Sequence, residues 1–71
     1  MDDPQLPRFT HREQALVAEI LAGRSNRAIA RKLGISEQTV RNQLTTLFRK
    51  AGVSSRLELA VRFASRASDA E

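Results

Sequence analysis

The sequence predicts an all-α domain of four helices, and three observations predict it. Apolar residues recur at helical spacing in four successive segments, and no stretch alternates apolar and polar residues as a half-buried strand would. A threonine or serine precedes each segment (Thr10, Ser25, Ser36, Ser55), and these residue types cap helix N-termini. Glycine closes the first three segments at Gly23, Gly34 and Gly52. With 71 residues and 41% apolar content, the chain can bury one small core and no more.

Residues 1–8 hold two prolines and two aspartates without periodicity, and are expected to form a disordered arm or linker. The domain proper is expected over 9–67, with a flexible tail at 68–71. Thr10 and Glu13 have capping-box spacing, which starts helix one, expected at 11–22 with Leu16, Val17, Ile20 and Leu21 inward. Ser25 caps helix two, expected at 26–33, with Ile29, Ala30 and Leu33 as its apolar stripe. Gly34 ends it, Ile35 follows as a buried plug, and Ser36 caps the next helix.

Helix three is expected from Glu37 to about Ala51. At about 100° per residue, Val40, Leu44, Leu47, Phe48 and Ala51 fall within one arc. The opposite face carries Gln38, Asn42, Thr45, Thr46 and Arg49, with Arg41 and Lys50 at its borders and no acid among them. Ser55 and Glu58 make a second capping box for helix four, which is expected to run to 64–67. Its apolar set (Leu57, Leu59, Ala60, Val61, Phe63, Ala64, Ala67) covers roughly 200° of the wheel, more than one core contact needs. Two short helices joined by a glycine-containing turn, the second longer and basic, form a helix-turn-helix arrangement.

The charge is segregated. From Arg24 to Arg56 there are eight bases and one acid, Glu37, a balance of +7, while the remainder of the chain sums to −3. A basic middle between acidic ends suits a polyanion, and ten of the twelve bases are arginine, which forks onto phosphate or guanine. The absence of cysteine and the single His11 argue against a disulfide framework or a metal site, and no cofactor is expected. There is no nucleophile–base pair, no paired carboxylates in a plausible cleft and no glycine-rich phosphate loop, so an enzyme is not expected. No apolar run approaches the roughly 18 residues of a membrane span, so no membrane association and a cytoplasmic location are expected.

The stretch "FTHREQALVAEILAGRSNRAIARKLGISEQTVRNQLTTLFRKAGVSSRLELAV" strongly resembles the LuxR-type DNA-binding domain, found at the C-terminus of many bacterial response regulators and quorum-sensing regulators and sometimes free-standing. The resemblance runs from Phe9 to about Ala64 and rests on Thr10, Arg12 and Glu13, on "LAGRSNRAIARKLGIS" and "TVRNQL", and on Gly52-Val53, Arg56 and Glu58. It implies a four-helix fold whose third helix enters the major groove of promoter DNA and whose fourth mediates dimerisation on DNA. Carried over by position, the base-reading residues are Arg41, Asn42 and Thr45.

Arg41 can fork onto guanine O6 and N7, Asn42 can pair with adenine N6 and N7, and Thr45 can press its methyl on a thymine methyl or bond a phosphate. Asn26, Lys32, Ser36, Thr39, Arg49 and Lys50 are the expected phosphate contacts, helped by amides at the starts of helices two and three. Leu57, Val61 and Ala64 are the expected homodimer surface. The competing expectation is a protein-interaction module that binds RNA polymerase, a sigma factor or another regulator through helix four. The chain departs from the family pattern at His11, where proline is usual, at Ala28, where glutamate is frequent, at Gln43, where histidine is frequent, and at Thr45, often a charged or longer residue.

Overall fold

The computed structural model describes residues 9–69, with side chains through residue 64. The arm expected at 1–8 lies outside the described residues. Four helices follow in order: α1 (His11–Leu21), α2 (Asn26–Leu33), α3 (Glu37–Ala51) and α4 (Arg56–Asp69), with no strand among the described residues.

The caps explain the boundaries. Thr10 Oγ1 accepts from the Glu13 amide at 3.1 Å, and the Glu13 carboxylate accepts from the Thr10 amide at 2.8 Å, the full capping box. Ser25 accepts from the Ala28 amide at 3.1 Å, and the Ala28 methyl cannot accept the return bond. Ser36 accepts from the Thr39 amide at 3.0 Å. At α4, Ser55 accepts from the Glu58 amide at 3.1 Å, but the Glu58 carboxylate reaches past the cap residue to the Ser54 amide at 2.8 Å, so the expected box is half formed.

Helix one ends one residue early, at Leu21, with Ala22 as its cap; the Gly23 and Arg24 amides donate back to the Ile20 and Glu19 carbonyls at 2.9 and 3.1 Å. Gly34 ends α2 at φ 71°, left-handed backbone that a β-carbon disfavours. The three residues Gly34–Ser36 then turn the chain into α3. Helix four continues to Asp69, beyond the expected 64–67 and into the tail expected at 68–71; residues 70 and 71 lie outside the described residues.

Every helix contributes to one core. Leu16 from α1, Ile29 from α2, Val40 and Leu47 from α3 and Leu59 from α4 are each 0% exposed. Burying a side chain of this size contributes about 1.5–3 kcal/mol of transfer free energy. α2 packs on α3 and α1 on α4, with α3 also touching α1 and α4. Phe9 and Phe63 close the α1–α4 end, their ring centroids 5.7 Å apart.

Four apolar residues depart from the pattern. Leu21 is exposed at the end of α1, and Leu33, Ile35 and Phe48 are only partly buried against the core. Ile35 is thus a rim residue and not a buried plug; the turn that carries it is pinned by its amide, which donates to the Ala30 carbonyl at 3.0 Å. Val53 is buried although it lies outside every helix stripe. Its amide, donating to the Phe48 carbonyl at 3.0 Å after Gly52 (φ 72°), folds it back onto α3. Arg62 of α4 donates to the Ala51 carbonyl at 2.9 Å and so satisfies an unpaired acceptor at the end of α3.

Candidate nucleic-acid interface

The outer face of α3 is fixed by the packing of its inner face. With Val40, Leu44, Leu47 and Ala51 buried, helical geometry leaves Gln38, Arg41, Asn42, Thr45, Thr46 and Arg49 exposed together. The three expected base readers Arg41, Asn42 and Thr45 therefore share one surface.

That surface is internally hydrogen-bonded. Arg41 Nη2 donates to Gln38 Oε1 at 3.4 Å, and Gln38 Nε2 donates to Asn42 Oδ1 at 3.0 Å. Arg41 Nη1 also lies 3.8 Å from Glu37, an exposed pair one turn apart that contributes a few tenths of a kcal/mol at about 0.2–0.5. The Thr45 hydroxyl donates to the Arg41 carbonyl at 3.0 Å and the Thr46 hydroxyl to the Asn42 carbonyl at 3.4 Å. Thr45 in this rotamer has no proton left for a phosphate oxygen, and its methyl is the group available to a thymine methyl.

The expected phosphate contacts divide into two sets. Ser36 and Thr39 share one bond between their hydroxyls at 2.9 Å, so whichever donates, one O–H remains for an outside acceptor. They stand at the N-terminus of α3, where unpaired amides and the helix dipole favour an anion. Arg49 makes no ion pair among the described residues.

Asn26, at the N-terminus of α2, is held by Arg56, whose guanidinium donates to Asn26 Oδ1 at 2.7 Å and also to the Arg24 carbonyl. That leaves the Asn26 amide nitrogen as a donor and places a positive charge beside the first turn of α2. Arg56 lies 30 residues from Asn26, beyond any local spacing rule, and sequence reasoning missed it as an organiser of this site.

Lys32 and Lys50 are engaged within the domain. Lys32 lies 2.7 Å from Glu19, which is buried and also pairs with Arg24 at 2.6 Å. Lys50 lies 2.7 Å from Glu13, the residue that completes the α1 cap. The Lys50 hydrogen bond, followed by the Thr10 amide, holds the Glu13 carboxyl below its ordinary range; the Lys32 hydrogen bond does the same for Glu19, against the opposing effect of burial. A phosphate at either lysine shares it with a carboxylate.

Arg12, Thr39, Asn42, Gln43 and Thr46 border a cleft between the first turn of α1 and α3. Gln43 turns partly inward, and its Oε1 is buried without a partner among the described residues. No group of three or more metal-ligating side chains occurs among the described residues, and no described helix is long and apolar enough to cross a membrane.

Comparison with known proteins gives consistent matches. A family model described as bacterial regulatory proteins, luxR family, matches residues 7–63. The chain is 40% identical over 62 residues to a nitrate/nitrite response regulator protein homolog of Haemophilus influenzae, covering 87% of this chain and 30% of that protein. It is 45% identical over 50 residues to the CsgBAC operon transcriptional regulatory protein of Escherichia coli, covering 70% and 23%. Against the nitrate/nitrite response regulator protein NarP of Escherichia coli it is 43% identical over 55 residues, covering 78% and 26%. The chain thus spans less than a third of the length of each of these relatives.

Proposed function

The chain belongs to the luxR family of bacterial regulatory proteins, and from that premise we propose that it binds promoter DNA sequence-specifically by laying α3 in the major groove. The family and the relatives are transcriptional regulators, so the chain is a DNA-binding domain of that type and not an enzyme. The observation that carries the groove-reading role is the acid-free exposed strip of α3, with Arg41, Asn42 and Thr45 on one surface. Phosphate contacts from Ser36, Thr39, Asn26 and Arg49 set the register of the helix without specifying sequence, and Lys32 and Lys50 add to the field while remaining bridged to α1. A cytoplasmic location follows from this role.

The second half of the proposal is a homodimer through α4. Leu57 is 73% exposed and Val61 63%, and Glu58 and Arg62 flank them with their charged groups 4.0 Å apart. A two-fold axis over Val61 brings Leu57 and Val61 of one copy against the same apolar face of the other, the self-complementarity an isologous interface needs. Ala64, also exposed, continues the same helix. RNA polymerase is the alternative occupant of this face, to be preferred only where the chain stays monomeric on DNA.

Equilibrium binding to mixed-sequence duplex over a salt series tests the DNA-binding role. Affinity is expected to fall steeply, with a log–log slope of about −0.9 for each phosphate neutralised. A flat response contradicts the proposal.

A further inference from the structure

One stripe of α3, beside the reading surface, faces the first turn of α1. Thr39, Gln43, Thr46 and Lys50 recur every three or four residues and so share one side of the helix. The first three border the cleft that Thr10, Arg12 and Glu13 close from α1, and Lys50 lies 2.7 Å from Glu13. Asn42, on the reading surface, borders the same cleft. The cleft therefore opens beside the expected base readers, at the edge of the strip that α3 turns outward.

Three groups on this cleft can donate. Arg12 is exposed and makes no ion pair among the described residues, so its guanidinium is available. Gln43 buries its Oε1 without a partner, which leaves the amide nitrogen, with two N–H groups, as the end toward the cleft. The Thr39 hydroxyl adds a third donor when Ser36 supplies the proton in the 2.9 Å bond between them. Glu13 is the acid on the cleft border, and its carboxylate already accepts from Lys50 and from the Thr10 amide. A cation and neutral donors around an open cleft suit an anion. The buried Gln43 oxygen itself costs stability that a leucine of similar size would not, so packing alone does not account for this amide.

We propose that this cleft is a phosphate-binding site: Arg12 and Gln43, with Thr39 beside them, hold one phosphate of the DNA backbone on the α1 side of the groove. The proposal rests on the groove-reading role above. An α-helix with its side chains is about 10–12 Å across, and the major groove is about 12 Å wide. A helix that fills the groove brings the elements at its flanks against the phosphate walls. The first turn of α1 is such a flank, because its cleft shares Asn42 with the reading surface. Arg12 therefore fixes the seat of α3 and reads no base. Its contact is separate from those at the N-termini of α2 and α3, and it comes from a helix outside the helix-turn-helix pair.

The experiment takes a duplex selected from a random pool by the 71-residue chain and replaces its phosphates, one at a time, by uncharged methylphosphonates. Binding is measured for the wild-type chain, Arg12→Ala and Gln43→Leu. At one phosphate the replacement is expected to lower wild-type affinity about tenfold. Most of that loss is expected to vanish in Arg12→Ala, and part of it in Gln43→Leu, at the same phosphate. Arg12→Ala is also expected to weaken selected and scrambled duplexes about equally and to lower the salt slope by about one phosphate. Gln43→Leu is expected to bind more weakly while unfolding at or above the wild-type temperature, because it removes the unpaired oxygen. Three results overturn the proposal while leaving groove reading intact: replacements that cost Arg12→Ala as much as wild type at every phosphate, an Arg12→Ala chain weakened on the selected duplex alone, or a Gln43→Leu chain that either binds as wild type or loses stability along with affinity. If the wild-type chain selects no motif at all, the groove-reading role itself fails and the proposal falls with it.

Discussion

At the residue scale, Glu13 and Glu19 on α1 each serve two partners. Glu13 both caps α1 and pairs with Lys50 from the last turn of α3, tying the start of α1 to the far end of α3. Its carboxyl is held below the ordinary value of 4.5 chiefly by the Lys50 bond. A carboxylate depressed in this way stabilises the fold fully above its unfolded value, and the effect disappears as pH falls through its folded value. Glu13→Gln is accordingly expected to lower the unfolding temperature at pH 7, and the gap from wild type to narrow as pH drops below 4.5. Unfolding temperatures for both chains from pH 7 to pH 3 check this; a gap that does not change with pH contradicts it.

The exposed strip of α3, with Arg41, Asn42 and Thr45 on one surface, was legible from the helical wheel. The link through Gln38 was available in principle, because residues three and four apart on a helix meet. What was not legible is the engagement of Lys32 and Lys50. Their partners Glu19 and Glu13 lie on another helix, and a count of charge along the chain places those acids in the ends that balance the basic middle, not against it.

At the element scale, the sequence marked each helix start through its capping residue, and all four caps formed where serine or threonine stood. The ends follow the sequence less closely where no stop signal stands. α4 has no glycine to stop it, and it continues to Asp69. Leu21 and Ile35 have the apolarity of core residues but sit where the backbone turns away from the core, and hydropathy alone does not register that turn.

The turn between α2 and α3 provides a clean test of backbone cost. A β-carbon at Gly34 meets no atom within 4 Å, so steric crowding from neighbours plays no part and only the φ of 71° matters. Gly34→Ala is expected to destabilise the fold by about 1 kcal/mol, and Gly34→Asn by less, because asparagine enters left-handed backbone more readily. Denaturant unfolding of the two variants measures both; an alanine variant as stable as wild type contradicts the assignment of the turn.

At the scale of the whole molecule, the domain presents a basic, hydrogen-bonding surface on α3 and an apolar strip on α4. The acids of α1 fold back onto Lys32, Arg24 and Lys50 and Glu37 faces Arg41, which leaves Arg27, Arg31, Arg49 and Arg56 as the bases of the middle segment with no ion pair among the described residues. The apolar strip explains why the wheel of α4 was wider than the core required: Leu59 is fully buried, while Leu57 and Val61 face away. If those two residues bring a second copy alongside, Val61→Glu should place two carboxylates near the two-fold axis and abolish pairing. Sedimentation of the chain bound to its selected duplex reads this directly. Unchanged association in the variant, against a dimeric wild type, removes the interface from this face.

The central claim is that α3 reads base edges while the rest of the surface holds phosphates. The most direct measurement compares affinities for a selected duplex and a scrambled one, for the wild-type chain, Arg41→Ala and Arg49→Ala, over the same salt series. Arg41→Ala is expected to reduce the preference for the selected duplex by about 1–3 kcal/mol, with a smaller effect on the scrambled one. Arg49→Ala is expected to weaken both about equally and to reduce the salt slope by about one phosphate. Equal affinity of the wild-type chain for the two duplexes, or an Arg41→Ala variant that keeps its full preference, would contradict the account.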